Sequence, residues 1–416
     1  MKTLSKSATA IISSATIVLL LVCLFLVPGE AKLYSLFVVS AIATGLGFYF
    51  KTLTLTKSIG LTFVSILIFL FVWDLGSQAL FDKAADDRIA TIRNTFKNDK
   101  ATAEKAVSEE LVKLYGDEDK GIAPDPTARP NSLPSPAMVL DAANVLLDDI
   151  YEVQKKKKEF RKSTEKINKK LRAEGKPEIK YTGRPSFGDM IVTSLVNIFY
   201  GVLLAISISV PLGILIGLSK NFRIAINWFV QVFKPISPVV WFLLVQMIVN
   251  TIMADVEEKD SIKFYITFIS VGLCAMWATL VNTSVGVSSV DENYLNVAKV
   301  LRLSVGKKIF KVVLPSSIPL IFTGLRITVS VSWMVLIAVE WLSQSPGLGG
   351  FVREEFQNGS NSSNAKIMVA MLVIGVIGFF LDKIMGAVQG MMSFEDKQSV
   401  SPLAVIKQLF SKKKAA

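Results

Sequence analysis

The chain offers few side chains that could carry out covalent or acid–base chemistry. Histidine is absent from all 416 residues, which excludes Ser/His/Asp and Cys/His nucleophile systems and histidine-based zinc sites. The two cysteines, Cys23 and Cys274, lie far apart in apolar stretches, so neither a disulfide framework nor a paired-cysteine metal site is expected. The run Val305–Lys308 lacks the upstream glycine and the hydroxyl residue of a nucleotide-binding loop. We therefore expect no catalytic residue, no metal site and no cofactor in this chain.

Polar and aromatic side chains inside the long apolar stretches remain as candidates for binding chemistry. Ionisable groups are costly in hydrocarbon and usually face a cavity or a partner. Arg326 is the strongest candidate because a cation about two and a half turns into a span suits an oxyanion, although helix pairing or capping explains it equally well. Weaker candidates, each also explained by packing or an interfacial position, are Asn282, Trp277, Trp333 and Glu340.

The apolar residues are clustered rather than dispersed. Stretches of about 20 apolar residues are long enough to cross a bilayer core of about 30 Å as helices, and none has the alternation of a β-barrel strand. The eight candidate spans cover residues 8–27, 33–50, 58–79, 191–218, 226–251, 264–286, 318–341 and 367–389. The chain is therefore predicted to be an all-α polytopic membrane protein that keeps its first helix rather than losing it as a signal peptide.

The distribution of lysine and arginine predicts the orientation. The loops richest in basic residues are 51–57, 219–225 and 287–317, together with the tail 391–416. These regions are expected in the cytoplasm, and the acidic loop 255–263 then falls outside, as eight spans with both termini in the cytoplasm require. The tail has the pattern of an amphipathic helix on the inner leaflet.

Residues 81–190 form a hydrophilic segment that this topology places outside. Residues 155–184 hold thirteen Lys/Arg and four Glu and supply +9 of the formal net charge of +12. Helical spacing of apolar residues, and five prolines in 121–136, predict a small helical domain with a stiff linker. The basic stretch is either a solvated helix or hairpin, or a surface that attracts an anionic solute or an acidic binding protein. An external location makes a nucleic-acid partner a poor explanation of this charge.

The sequence of the loop 291–319 predicts two short helices, each with an apolar face. The apolar side of the first helix, over 294–301, consists of Leu295, Ala298 and Leu301. The second helix has Ser304 as its N-cap and continues until Pro315 stops it. So much apolar surface is unusual in an aqueous loop. It packs on the chain's own spans or the membrane interface, or it inserts into a groove on a partner.

This loop resembles the EAA loop of binding-protein-dependent ABC importers, E-A-A-x3-G-x9-I-x-L-P. The matched positions are Asn296, Val297 and Ala298 for the triplet, Arg302 for the glycine, Val312 for the isoleucine, and Leu314 and Pro315 for the end. Glycine would permit a left-handed helix end. Arg302 must adopt that conformation at a cost of about 1–2 kcal/mol, or the turn must move toward Gly306.

The flanking segments match the same family in order. They are LPSP at 133–136, SVPLGILIGLS at 209–219, FKPISPVVW at 233–241, LPSSIPLIFTGLRI at 314–327 and SPGLGGF at 345–351. The last of them is either a re-entrant gate or a plain turn. The outer insertion ending in YTG and the run WMVLIA-x-E-W at 333–341 are similar to the nitrate/nitrite-type branch. The resemblance covers most of 133–389 and leaves out 1–50.

The resemblance implies a type I ABC importer permease core of about six helices with two extra N-terminal transmembrane helices and a helical periplasmic insertion. The implied regions are 1–50 (two extra transmembrane helices), 51–80 (first core helix), 81–190 (periplasmic insertion), 191–390 (permease core with coupling loop 291–319) and 391–416 (cytoplasmic tail). The residues implied to couple to an ATPase are Asn296, Ala298, Leu301, Arg302, Ser304, Gly306, Leu314 and Pro315.

The implied function is uptake of a small anion across a bacterial inner membrane, with nitrate or nitrite first and cyanate, bicarbonate or an alkyl sulfonate such as taurine as alternatives. The implied partners are ATPase subunits that hold ATP and Mg, a periplasmic or lipid-anchored solute-binding protein, and a second permease copy. A secondary transporter is the rival from another class. It predicts internal repeats and buried carboxylates near the membrane midplane, and the sequence has few such acids. A membrane-anchored sensor or scaffold is a third hypothesis.

Overall fold

The computed structural model describes residues 54–97, 99–117, 121–122, 125, 132–179, 181–254 and 259–392, together with Thr16, Val39, Ile42 and Ala43. Apart from those four residues, the predicted spans 8–27 and 33–50 lie outside the described residues, as does the predicted tail helix beyond residue 392. The chain divides into two compact units, Met1–Asp141 with Ser360–Ala365, and Ala142–Gly359 with Lys366–Ala416.

The described residues are helical throughout, apart from loops and one isolated bridge between Asp117 and Ile122. The helices are α1 Thr54–Thr95, α2 Lys100–Tyr115, α3 Pro136–Ala173, α4 Phe187–Leu218, α5 Lys220–Phe233, α6 Pro238–Ile252, α7 Lys259–Ser288, α8 Glu292–Val300, α9 Val305–Lys308, α10 Leu314–Ser343, α11 Leu348–Asn358 and α12 Asn361–Met392. A π-helical turn, Ile309–Val313, joins α9 to α10. The predicted all-α fold is confirmed for this part of the chain.

Five helices in the described ranges are long and apolar enough to cross a membrane, and a bent pair makes a possible sixth. The five are Leu61–Thr95, Phe187–Leu218, Ser261–Ser288, Val305–Ser343 and Asn361–Met392. The span predicted over 226–251 is not one continuous helix, because α5 and α6 meet there at a bend of 100°, which is either a broken span or a re-entrant loop. Pro235 has no N–H to continue α5, and Ser237 caps α6 with Pro238 in its first turn.

Close helix packing forms the core of the second unit, where α7 packs against α4, α6 and α10. Small residues recur every fourth position on the buried face of α4: Gly201, Ala205, Ser209, Gly213 and Gly217. A β-carbon on Gly213 would lie 2.6 Å from the Thr283 side chain, and one on Gly217 would lie 2.5 Å from Val287. The small residues therefore let the two spans approach closely, which is how helices associate in a membrane.

The first unit contains α1 and α2, which pack through Phe81, Ala85 and Leu114. Helix α1 continues past its predicted span end at residue 79 into this hydrophilic region, where Arg88 pairs with Glu110 at 2.8 Å. Asp99 caps α2, and hydrogen bonds from the Thr102 hydroxyl and backbone N–H lower the pKa of the Asp99 carboxyl. The outer segment predicted to be helical is helical here.

The basic stretch lies largely on α3, and the chain after α3 returns alongside it. Asn168 exchanges two hydrogen bonds with the backbone of Ile179, at 3.1 and 2.9 Å. Farther back, Phe160 contacts the Tyr181 ring, with centroids 5.5 Å apart. Lys157 then bonds the Asp189 carboxylate at 2.6 Å. The basic stretch is thus a charged helix with a returning segment that leads directly into the N-terminus of α4, and attraction of an anionic solute or an acidic binding protein stays a prediction.

Candidate functional site

The loop between α7 and α10 carries α8, whose C-terminus is closed by two hydrogen bonds. The N–H of Leu303 donates to the carbonyl of Ala298 at 3.1 Å, and the N–H of Arg302 donates to Lys299 at 3.0 Å. This Schellman arrangement requires a left-handed residue after the cap. Arg302 adopts that conformation, with φ 47°. Of the two predicted alternatives, the left-handed Arg302 is therefore confirmed, and the turn does not move to Gly306.

Helix α8 has an inner and an outer apolar face. Ala298 is 2% exposed, and Leu295 packs against a cluster of Val287, Val290 and Val313. The outer face, continued beyond the helix, consists of Tyr294, Val297, Val300, Leu301, Val305 and Phe310, all exposed. We call these six residues the outer apolar face. The inner face packs on the chain's own spans. The outer apolar face is not covered by any of the described residues of this chain.

Several residues predicted to couple to an ATPase occupy positions that helical periodicity alone does not give. Leu301 is predicted to share one side of the helix with Leu295 and Ala298, but it is 64% exposed whereas Ala298 is buried. It is the C-cap residue, with ψ 2°, so the helical period has already ended there. Asn296 is exposed. Gly306 is also exposed, with no atom within 4 Å of the position that a β-carbon would occupy.

The prediction that Pro315 stops the second helix is wrong. Ser304 is the N-cap as predicted, although its side chain makes no capping hydrogen bond. The helix continues through the π-helical turn, in which the N–H of Leu314 donates to Ile309, five residues back. The wider turn accommodates the ring and the missing N–H of Pro315. The result is one continuous helix, Val305–Ser343, that joins the loop directly to a span.

An open groove of about 470 Å³ lies along α10 and α12 and contains Arg326. It is lined by Thr323, Arg326, Ile327, Ser330, Val331, Met334, Asp382 and Gln389. The guanidinium of Arg326 donates to both carboxylate oxygens of Asp382, from Nε at 2.7 Å and from Nη2 at 2.8 Å. Both side chains are partly exposed, at 41% and 37%. Helix pairing, one of the predicted explanations for Arg326, is therefore present, and the groove leaves the cation accessible as well.

The other aromatic and amide candidates lie outside this groove. Trp277 is 4% exposed in an aromatic cluster with Phe233 and Trp241. Asn282 donates to the carbonyl of Ala278, one turn back in its own helix, at 2.8 Å. The indole N–H of Trp333 donates to a carbonyl of α12 at 3.0 Å. Each of these side chains has a packing role, and Arg326 is the one predicted pathway residue that lines the groove.

Glu340 is fully buried near the end of α10 and joins three segments. Its carboxylate accepts hydrogen bonds from the Ser194 hydroxyl at 2.9 and 2.8 Å and from the Asn197 amide at 3.0 Å. It also accepts from the N–H of Gly349 at 3.0 Å. The Ser194 hydroxyl accepts in turn from the N–H of Leu348 at 2.9 Å. The glycine-rich segment predicted as a gate or turn is thus a tight turn into α11, held on Glu340.

Sequence reasoning missed the partners that make these sites. The sequence did not pair Asp382 with Arg326, although Asp382 is the counterion of that arginine. Ser194 and Asn197 were not singled out, although they lie one turn apart on the buried face of α4. Two polar residues at that spacing in an otherwise apolar span were the available signal, since buried polar groups need partners.

Comparison with known proteins gives consistent matches. Residues 209–392 match the family model described as binding-protein-dependent transport system inner membrane component. The nitrate import permease protein NrtB of Synechococcus elongatus is 30% identical over 206 residues, covering 50% of this chain and 70% of the relative. The bicarbonate transport system permease protein CmpB of the same organism is 33% identical over 199 residues, covering 48% and 66%. A solved chain of the MetNI methionine ABC transporter, in inward-facing conformations, aligns at 12% identity with a TM-score of 0.42, covering 50% and 96%.

Proposed function

From the premise that the chain belongs to the family of binding-protein-dependent transport system inner membrane components, we propose that it is the membrane-spanning subunit of an ATP-driven nitrate importer. It is a multi-pass ABC importer permease. Nitrate is favoured because the NrtB relatives are nitrate import permeases, and the accessible arginine in a groove on a span suits a small anion. Bicarbonate is the second candidate, favoured by the likeness to CmpB.

The outer apolar face carries this proposal. An exposed apolar helix flank in an aqueous loop is typical of a protein interface. We propose that the ATPase subunits bind there, with Val300 and Val305, which are 83% and 75% exposed, near the centre of the contact. The inner face, with Ala298 and Leu295, fixes α8 to the spans, so that a push on the outer face is transmitted rather than absorbed.

The link from the loop to the spans supports the same mechanism. Helix α9, the π-helical turn and α10 form one continuous helix, so displacement of the loop tilts a whole span. Closure of the ATPase subunits around ATP would then exchange outward and inward access by a rigid-body movement. The partners that this requires are two ATPase subunits, a second permease copy and a solute-binding protein on the side of the 81–190 segment.

The test is nitrate uptake into proteoliposomes that hold the complete complex. With ATP inside the vesicles and loaded solute-binding protein outside, we expect nitrate to accumulate and ATP to be hydrolysed. Omitting the ATPase subunits or replacing ATP with a non-hydrolysable analogue should stop the accumulation. Nitrate uptake driven by a proton or sodium gradient without ATPase subunits would refute the assignment. ATP-driven uptake of bicarbonate but not nitrate would favour the second candidate.

A pair of substitutions separates the interface from the chain's own packing. Gly306→Leu introduces a side chain into open space in this chain, so loss of uptake would report a partner that contacts it. Ala298→Leu enlarges a buried residue and should loosen α8 from the cluster beneath it. Gly306→Leu is expected to lower uptake without changing the thermal stability of the isolated permease. If both substitutions left uptake unchanged, the loop would not be the coupling element.

A further inference from the structure

The Arg326–Asp382 pair leaves one edge of the guanidinium unused. A guanidinium has five N–H groups arranged in two forks. Asp382 takes the fork formed by Nε and Nη2, at 2.7 and 2.8 Å. Among the described residues, no acceptor bonds Nη1, so the fork formed by Nη1 and the second hydrogen of Nη2 has no partner in this part of the chain. A side chain on Gly386 would lie 3.5 Å from the guanidinium carbon, so its absence keeps that side uncrowded.

The groove next to this fork provides few competing groups. The Ser330 hydroxyl donates to the carbonyl of Arg326 at 3.2 Å, and the Thr323 hydroxyl donates to Pro319 at 2.9 Å. Both hydroxyl hydrogens are therefore committed to the backbone of α10. The apolar part of the lining is Ile327, Val331 and Met334. A small anion in the groove would find the free fork of Arg326 as its main donor.

We propose that the Nη1–Nη2 fork of Arg326 binds a planar oxyanion during transport, with Asp382 as a fixed counterion that orients the fork. This inference rests on the proposed function and names the site that the substrate would use. Nitrate and hydrogencarbonate are both planar, with two oxygens that match the parallel N–H groups of one fork. The Nε–Nη2 fork stays on Asp382, so the guanidinium is already oriented when the anion arrives.

Asp382 has a second role, which is to keep the bound state weak. A bare cation in a span would hold an anion tightly, and conduction requires binding weak enough for release. The carboxylate next to the guanidinium lowers the net positive charge that the anion meets. It also distinguishes the two candidate substrates, because hydrogencarbonate has an O–H that a carboxylate oxygen accepts, whereas nitrate has no hydrogen to donate.

A purely structural ion pair is the competing explanation. Two other contacts already join α10 and α12: the Gln389 amide donates to Thr323 at 2.8 Å, and the Trp333 indole donates to Ile374 at 3.0 Å. The helices are therefore not held by the ion pair alone. Removing both charges together leaves no unpaired charge behind, and such double replacements are often tolerated.

The experiment measures nitrate transported per ATP hydrolysed by the complete complex in proteoliposomes. In Arg326→Met/Asp382→Met the fork is lost, and we expect the ratio to fall at least about tenfold. Arg326→Lys keeps the charge without the fork, and its ratio of nitrate transported to ATP hydrolysed should fall by a similar factor. The matched control is Lys366→Met/Glu355→Met, which removes another ion pair of α12, at 3.2 Å and outside the groove, and should leave the ratio unchanged.

A direct binding measurement completes the test. Titration calorimetry with sodium nitrate on the purified complex, without solute-binding protein and with sodium chloride as the ionic control, should show tighter binding in Asp382→Asn and none in Arg326→Met/Asp382→Met. If Arg326→Met/Asp382→Met transported as much nitrate per ATP as the wild-type complex, the inference would be overturned and the proposed function would stand. If the wild-type complex transports no anion with ATP, the proposed function itself fails.

Discussion

Arg302 holds a backbone conformation that glycine adopts at lower cost. Its φ of 47° closes the Schellman motif of α8, and a left-handed non-glycine residue costs about 1–2 kcal/mol. We expect Arg302→Gly to stabilise α8 by about 1 kcal/mol, seen as slower hydrogen–deuterium exchange of amides in 292–303. Lys299→Gly, inside the same helix, should speed exchange by a similar free energy. Faster exchange in Arg302→Gly would mean that the arginine side chain stabilises the loop by some other contact.

The turn over Glu340 contains three glycines with almost no free space, Gly347, Gly349 and Gly350. A β-carbon on Gly349 would overlap the carbonyl oxygen of Ile337 and lie 2.8 Å from the β-carbon of Glu340. Because the first obstacle is backbone, we expect Gly349→Ala to lower the free energy of unfolding by about 1–3 kcal/mol. Gly375→Ala is the control, since nothing lies within 4 Å of its added methyl and helix propensity should rise. Thermal unfolding in detergent compares the two variants, and equal melting temperatures would contradict the tight packing described around Gly349.

At the scale of helices, the sequence predicts well which spans are present, but less well where a helix bends or continues. The spans beginning near 191, 264, 318 and 367 are all present, because each is a long apolar run that has no other stable form in a membrane. The errors occur at prolines. Pro235 and Pro238 bend a predicted span, whereas Pro315 is absorbed by a π-helical turn. Whether a proline breaks a helix depends on the hydrogen bonds of the preceding turn, which composition does not reveal.

The two faces of α8 lead to opposite predictions for similar substitutions. Val300→Lys changes an exposed side chain, so the stability of the isolated permease should change by less than about 0.5 kcal/mol. It would bury a charge in the proposed ATPase contact, and binding of the ATPase subunits should weaken at least about tenfold. Leu295→Ala removes packing from the inner face and should lower stability by about 2 kcal/mol. Co-purification and thermal unfolding together measure both effects. Undiminished ATPase binding by Val300→Lys would exclude this face as the interface.

Across the whole molecule, single residues of a site could be predicted but their partners could not. Arg326 and Glu340 were singled out because charge is rare in apolar runs. Asp382 and Ser194, which decide what those charges do, are 56 and 146 residues away in sequence. A single sequence gives no distance between such positions. The pairing comes from the packing of α4, α10 and α12, which small residues and side-chain fit determine.

The basic segment and the loop 291–319 contact opposite ends of α4. Near its N-terminus, Asp189 bonds Lys157 of the basic outer segment. Near its C-terminus, Gly217 packs on Val287 next to the coupling loop. A helix of 32 residues is about 48 Å long, more than a bilayer core. We therefore expect the two regions on opposite sides of the membrane.

Cysteine labelling tests this orientation, because Cys23 and Cys274 are the only cysteines to remove. In a Cys23→Ala/Cys274→Ala background, Lys162→Cys on α3 should react with a membrane-impermeant maleimide in cells whose outer membrane, but not inner membrane, has been permeabilised. Gly306→Cys in the coupling loop should react only after the inner membrane is permeabilised. Both positions are exposed in the isolated chain, so access rather than burial decides the result. Labelling of both from the same side would contradict the arrangement along α4, and exchanged accessibility would reverse the predicted cytoplasmic location of the coupling loop.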